Sequence, residues 1–288
     1  MRRLVLFLLL TVTFGPGLLA QTVLQNDIAC FVDKGKDNAA YKKKLWGGYE
    51  ISLGPTGKSE YSEETCTGAI YSATGKVVYR TTGYNVIFDQ NATGKDFDGD
   101  GHPEIVFKTD TGGGMHCCWE YNVISLAPRP HKLFDIPEPG RVQFEKDQAG
   151  KMLIWVLTPG PYGFTSNANN PFAQKVFRVV EGKLTDATPE FCAQIMADSK
   201  QNYGLAKEWL TPERTLEFQS LPQLPRQDDD AASAVLTIAT QQVFCGQFEK
   251  ALATLEIWPA SDKARMKSGF AGAMKTDYPE FTAKLQPR

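Results

Sequence analysis

Four carboxylates recur at short intervals in the segment DFDGDGHPE, which spans residues 96–104. Gly99 and Gly101 lie between them, and glycine readily adopts the positive φ that a tight loop requires. Carboxylates gathered around one point repel each other, so the pattern favours a bound cation. A hard divalent ion with oxygen ligands at about 2.3–2.6 Å, which is calcium, fits this set best. Counted from the first aspartate, the carboxylates occupy positions 1, 3, 5 and 9: Asp96, Asp98, Asp100 and Glu104.

The seventh position of the loop is His102. Calcium loops usually offer a backbone carbonyl there, so we include His102 as a ligand position through its carbonyl and not its ring. The loop is not an EF-hand, because position 12 is Phe107 instead of a bidentate glutamate. Residues 105–107 favour a β-strand, so Glu104 closes the site. The alternative is a solvated turn without a bound ion.

The pattern DxDxDG, closed by an acidic residue and followed by a strand, resembles the calcium loops of FG-GAP and VCBS-type proteins, which are extracellular β-repeat proteins. The following TGGGMHCCW, at residues 111–119, is similar to the GG-x-HCC segment found after such loops in many secreted bacterial proteins. The resemblance covers a single loop and not a repeating array. It implies adhesion or envelope interaction, which is an association of fold and not a site argument.

A second chemical group follows the loop: His116, Cys117 and Cys118. Imidazole and thiolate ligands suit copper or zinc. Adjacent strand residues, however, point to opposite faces, and the chain has no C-x-x-C pair to complete a four-ligand site. A disulfide between the neighbours would be strained, because adjacent Cα atoms lie only about 3.8 Å apart. A vicinal bridge, bridges to other cysteines, and a metal or redox site stay open as alternatives.

Six cysteines in an exported chain most often indicate disulfides, although six allow 15 pairings. Proximity in the sequence favours two pairs and leaves Cys117 and Cys118: the pairs are Cys30 with Cys66, and Cys192 with Cys245. Export itself is predicted from residues 1–20, which combine two N-terminal arginines with an apolar stretch too short to span a bilayer.

The expected location is therefore secreted or periplasmic. Because no cysteine stands at the expected cleavage point, we predict no lipoprotein anchor, and no later stretch is apolar enough for a transmembrane segment.

Short β-favouring runs separated by turn residues fill the chain from residue 49 to residue 180. Successive short strands are typical of antiparallel all-β structure rather than of βαβ units. We predict an antiparallel β domain over residues 21–187, either a sandwich or a partial propeller. Residues 41–45 are either a short helix or an edge segment. The predicted strands cover residues 49–53, 68–72, 77–82, 84–88, 104–108, 116–126, 142–145, 152–158 and 172–180.

A helical pattern replaces the strand pattern near Thr188. We predict a small all-α domain over residues 188–288, with a linker at about 221–230, so the whole chain is α+β. Phe248, Leu252 and Leu255 share one helical face, and this stretch resembles a tetratricopeptide-type helical hairpin. The predicted helices cover residues 190–199, 205–210, a segment beginning at Pro212, 231–245, 248–258, 261–274 and 279–285.

The net charge of −2 and the lack of a clustered basic face argue against nucleic acid as a partner. The chain also lacks H-E-x-x-H, G-x-S-x-G and phosphate-loop motifs. We therefore expect a non-enzymatic, calcium-binding protein that interacts with an extracellular or envelope protein or glycan. One alternative is a secreted hydrolase whose cleft lies between the domains, near His131 and the loop 159–171. Another is a thiol-redox or copper-handling protein built on His116, Cys117 and Cys118.

Overall fold

The structure is a computed structural model, and several predictions concern residues outside the part that it describes. These are the signal peptide at 1–20, the His-Cys-Cys group at 116–118, the helix at 205–210 and most of the linker at 221–230. The structure describes residues 28–31, 40–57, 65–110, 112, 119–137, 141–166, 169–198, 211–221 and 229–285.

Thirteen strands and six α-helices form within the described residues, with one short 3-10 helix at Trp46–Gly48. The strands are β1 (Ile28–Cys30), β2 (Tyr41–Lys44), β3 (Glu50–Pro55), β4 (Cys66–Tyr71), β5 (Val77–Gly83), β6 (Asn85–Phe88), β7 (Ile105–Asp110), β8 (Trp119–Ser125), β9 (His131–Pro137), β10 (Arg141–Lys146), β11 (Met152–Pro159), β12 (Phe172–Val180) and β13 (Lys183–Asp186). The helices are α1 (Thr188–Asp198), α2 (Pro212–Ser220), α3 (Asp229–Phe244), α4 (Phe248–Leu255), α5 (Lys263–Met274) and α6 (Pro279–Leu285).

The strands form three antiparallel sheets, each built around a meander of four consecutive strands. The first sheet has the order β2-β3-β4-β5, the second β1-β6-β7-β8-β9, and the third β10-β11-β12-β13. Every strand pair is antiparallel. The predicted α+β class, with an N-terminal β part and a C-terminal helical part, is confirmed. Residues 41–45, predicted as a short helix or an edge segment, form the edge strand β2.

The three sheets stack as layers, with the second sheet in the middle. One apolar core joins it to the first sheet, where Ile51 and Ile70 pack with Phe107. Another core joins it to the third sheet, where Val106 packs with Ile154. Because successive side chains of a strand point to opposite faces, a stretch of strand that is covered on both sides is apolar at consecutive positions. This explains the uninterrupted run of Ile, Val and Phe that begins β7.

Helix α1 covers the outer face of the third sheet, where Ile195 packs with Leu153 and Val176. Helices α3 to α6 pack against the first residues of β12. Ala173 of β12 belongs to the same core as Trp258, Phe270 and many apolar residues of α3 to α6. Phe248 and Leu252 pack against this core and Leu255 lies inside it, which confirms that the three share a buried face. No described helix is long and apolar enough to cross a membrane.

Two disulfides lie within the described residues. Cys30 of β1 is bonded to Cys66 of β4, with Cα atoms 5.8 Å apart, and links the second sheet to the first. Cys192 of α1 is bonded to Cys245, which directly follows α3, with Cα atoms 5.7 Å apart. These are the two pairs that proximity in the sequence favours. Cys117 and Cys118 lie outside the described residues.

The loop at 159–171 is partly buried, since Phe164 lies in the helical core. The ring of Phe164 makes an edge contact with Trp258, with centroids 6.0 Å apart. Gly269 of α5 lies beneath the ring, where a Cβ atom would approach the Phe164 ring to 2.3 Å. The guanidinium of Arg265 lies 5.0 Å from the same ring centroid. This part of the loop therefore anchors the β part to the helices.

Candidate metal centre

The acidic loop forms the connection between strands β6 and β7 of the middle sheet. A compact turn follows β6, in which the Asp89 side chain accepts hydrogen bonds from the backbone N–H groups of Asn91 and Ala92. Two backbone bonds then close the base of the loop. Gly94 donates to the carbonyl of Glu104 at 2.8 Å, and Glu104 donates to the carbonyl of Lys95 at 2.9 Å. The first and last acidic residues are thereby brought to the same place.

The aspartates of the loop organise its backbone as well as its charge. The two carboxylate oxygens of Asp96 accept from the N–H groups of Gly99 and Gly101, at 2.7 and 3.0 Å. Both glycines have positive φ, 81° and 87°, which a side chain would strain. Asp98 accepts from the N–H of Asp100 at 3.2 Å. The glycines that the sequence places between the acids are therefore required by the turn.

Three of the predicted ligand residues converge: Asp96, Asp98 and Glu104. One ligand oxygen from each lies within 4.8 Å of the others. Asp100 is not part of this group; its carboxylate accepts a bond from the His102 N–H at 2.7 Å and is exposed. The side chain of His102 is also exposed. The structure thus brings together the first, second and last carboxylates of the predicted set.

Glu104 is the least ordinary member of the group, because its side chain is 0% exposed. Its Oε2 atom accepts a bond from the backbone N–H of Phe97 at 2.7 Å. Its Oε1 atom is buried and has no hydrogen-bond partner among the described residues. A buried carboxylate oxygen without a partner is strongly unfavourable. A proton, a bound cation or a buried water molecule would satisfy it.

The pKa values of Glu104 and Asp98 are shifted in the direction expected of carboxylates that lack a counter-charge. Burial raises the pKa of Glu104 to about 7, the Phe97 N–H opposes that rise, and the negative charges of Asp98 and Asp100 add to it. Burial also raises the pKa of Asp98, where the Asp100 N–H again opposes the change. The donor set consists of oxygen atoms alone, which suits calcium and not the softer copper or zinc. The residues present therefore fit calcium.

The hydrolase alternative requires His131 and the loop 159–171, and these lie in different surroundings. His131 is exposed at the start of β9, where its Nδ1 lies 2.9 Å from the Arg129 carbonyl. Phe164 of the loop 159–171 is buried against the helices. The group His116, Cys117 and Cys118 lies outside the described residues. The hydrolase and the redox or copper alternatives therefore remain predictions.

Comparisons with models of protein families, with curated proteins and with solved structures found no match to this chain. The candidate site therefore depends on its own residues and their geometry.

Sequence reasoning missed one residue of the site, Phe97. Its backbone N–H holds Glu104, and its side chain is only 2% exposed. A large apolar residue between two predicted ligands is unusual in a solvated loop. This apolar side chain is the sequence signal that could have identified Phe97.

Proposed function

We propose that the protein is an exported calcium-binding protein without enzymatic activity, in which one ion stabilises the connection between β6 and β7. The observation that supports this most directly is the buried, unpartnered Oε1 atom of Glu104, which lies beside the carboxylates of Asp96 and Asp98. A solvated acidic turn would leave its carboxylates in water. Here the closing glutamate is completely removed from water, so a cation has a defined place to bind.

Calcium would supply positive charge at a point where three carboxylates meet. Asp96, Asp98 and Glu104 would hold it, and the carbonyl of His102 is the further ligand predicted from the sequence. Because the ligands must be ionised, ion binding and local folding are coupled. The residues of the loop would then fix the direction in which the chain enters β7.

Other features of the chain support a location and a class of partner for the protein. Two disulfides fit an oxidising compartment, which supports the secreted or periplasmic location predicted from residues 1–20. The resemblance of the loop to FG-GAP and VCBS-type loops supports a role in interaction or adhesion. We propose that the partner is an extracellular or envelope protein or glycan.

Calcium titration of the mature protein tests the proposal. Isothermal calorimetry should give one site per chain, and the melting temperature should rise with calcium and fall with chelator. Asp98→Asn should weaken binding strongly, because it removes one of the three converging charges. The matched control is Asp147→Asn, since Asp147 accepts backbone bonds from Ala149 and Lys151 in an ordinary hairpin turn.

The control should bind calcium like the wild type. A melting temperature that calcium and chelator both leave unchanged would show that the loop is a plain turn. Equal calcium affinity of the Asp98 variant and the wild type would place the ion elsewhere.

A further inference from the structure

The acidic loop lies against the third sheet as well as within the second. Phe97 makes edge contacts with two rings that belong to different sheets. Phe134 of β9 has its centroid 6.1 Å away, and Phe144 of β10 has its centroid 5.1 Å away. Through Phe144, a residue between two candidate ligands touches the neighbouring layer.

Phe144 contacts the loop at a second residue, Lys95. The Lys95 ammonium lies 5.7 Å from the centroid of the Phe144 ring, which is a cation–π distance. Lys95 and Phe97 flank the ligand residue Asp96 in the sequence. The ring of Phe144 therefore contacts the residues on both sides of Asp96, at the start of the acidic loop.

The same two residues hold Glu104 through their backbones. The N–H of Phe97 donates to the Glu104 side chain at 2.7 Å, and the carbonyl of Lys95 accepts from the Glu104 N–H at 2.9 Å. Phe144 and Glu104 thus both contact the short stretch of chain from Lys95 to Phe97. A shift of this stretch would move the buried carboxylate relative to Asp96 and Asp98.

Strand β10 is the edge strand of the third sheet and is mostly exposed. Within the described residues it pairs only with β11. Its residues alternate between exposed and half-buried, and Val142 and Phe144 are the two that turn towards the core. An edge strand with so few inward side chains is weakly held, so a single aromatic contact has a measurable influence on its position.

From these contacts we infer that Phe144 is a positioning residue for the calcium site, and that calcium binding and the docking of β10 on the middle sheet stabilise each other. This inference rests on the proposed function, since it concerns the same ion. The coupling is reciprocal by thermodynamic necessity: if docked β10 favours the ion, the ion favours docked β10 by the same factor.

Calorimetry on the full mature chain tests the first half of this coupling. Phe144→Leu should raise the calcium Kd about tenfold, within the usual range of coupling between sites. Phe144→Tyr keeps the ring and should retain the wild-type Kd. Phe191→Leu is the matched control, because Phe191 packs on Trp155 at 5.4 Å, on the other face of the third sheet. It should lower the melting temperature without changing the calcium Kd.

Hydrogen exchange tests the second half. Calcium should slow amide exchange in residues 141–146 of the wild type and of Phe191→Leu, and should have a much smaller effect there in Phe144→Leu. A wild-type calcium Kd in Phe144→Leu, or exchange in β10 that calcium leaves unchanged in the wild-type chain, would overturn the inference. Either result leaves the proposed function intact if the wild type still binds calcium. Absence of calcium binding by the wild type would refute both.

Discussion

Glu104 and Lys175 are both buried charged residues, but they differ in the partners that surround them. Lys175 of β12 is 7% exposed, and its ammonium lies 2.7 Å from the carboxylate of Asp277. The rings of Phe244 and Tyr278 lie 4.7 and 5.3 Å from the same nitrogen. Glu104 has one N–H donor and a second oxygen with no partner among the described residues.

The difference separates a buried charge that the protein itself neutralises from one for which we propose a bound cation. A buried charge is tolerated when the chain itself supplies its counter-charge and hydrogen bonds. The chain supplies them for Lys175, at the junction of the third sheet with the helices. For Glu104 the described residues supply one hydrogen bond to the side chain, and the charges that act on it, those of Asp98, Asp100 and Asp96, have the same sign. Four experiments test this contrast.

Glu104→Gln should have the largest effect on stabilisation by calcium. At a calcium concentration of about 100 Kd the wild type should gain about 2.7 kcal/mol in the free energy of unfolding, and the variant should gain almost nothing. Without calcium and above neutral pH, the variant should be the more stable protein, because it removes an uncompensated charge. Urea unfolding with calcium and with chelator measures both effects. If calcium stabilised the two proteins equally, Glu104 would not be a ligand.

The pH dependence of the calcium-free protein provides a second test. The pKa of Glu104 is raised from 4.5 to about 7, so folding takes up a proton between these values. Protonated Glu104 stabilises the fold fully below pH 4.5, and this contribution of about 3 kcal/mol is lost as the pH rises through 7.

Calcium displaces that proton. Its Kd should therefore rise as the pH falls below 7, by at most about tenfold per pH unit, and should level off above 7. Calorimetry in buffers of different ionisation enthalpy would detect the released proton. A Kd independent of pH between about 5.5 and 8 would contradict a protonated Glu104 in the ion-free state.

Lys175→Met should destabilise the protein by about 1–3 kcal/mol, because it removes an ion pair and the cation contacts with two rings while keeping most of the side-chain volume. The loss should be the same with calcium and with chelator, since the junction is complete without an ion. Urea unfolding in the two conditions gives the comparison. A loss that depended on calcium would mean that the two regions are not independent.

Gln241→Ala should have the smallest effect. The Gln241 amide donates to the Gln174 carbonyl at 3.0 Å and accepts from the Gln174 N–H at 2.8 Å, so α3 completes the hydrogen bonding of β12. Removing both bonds should cost about 1–2 kcal/mol, independently of calcium. The exposed Gln219 offers a control, and Gln219→Ala should change stability by less than about 0.5 kcal/mol. Equal effects of the two substitutions would argue that these bonds contribute nothing.

Local features of this fold were predictable from the sequence because neighbouring residues determine them. The acidic loop is defined by the spacing of its acids and glycines, and Gly246, at φ 67°, lies two residues after the end of α3. Strands β1, β9 and β13 were missed, since each is short or carries charges that obscure its alternation.

Apart from the two disulfides, contacts between distant residues were not predictable. Phe144 lies 47 positions after Phe97, and Lys175 is separated from Asp277 by 102. A pattern along the chain gives the face on which such residues lie but not the layer that they meet. The position of Asp100 outside the converging group was also missed, because spacing alone does not show that its carboxylate bonds to its own loop.

The bond between Cys192 and Cys245 closes a covalent ring that contains α2, α3 and both stretches of chain on either side of α2. A protease that cut once anywhere inside this ring would leave the β part and the last helices in one covalent molecule. In an oxidising compartment, where the disulfide persists, such a nick would not release the helices from the sheets.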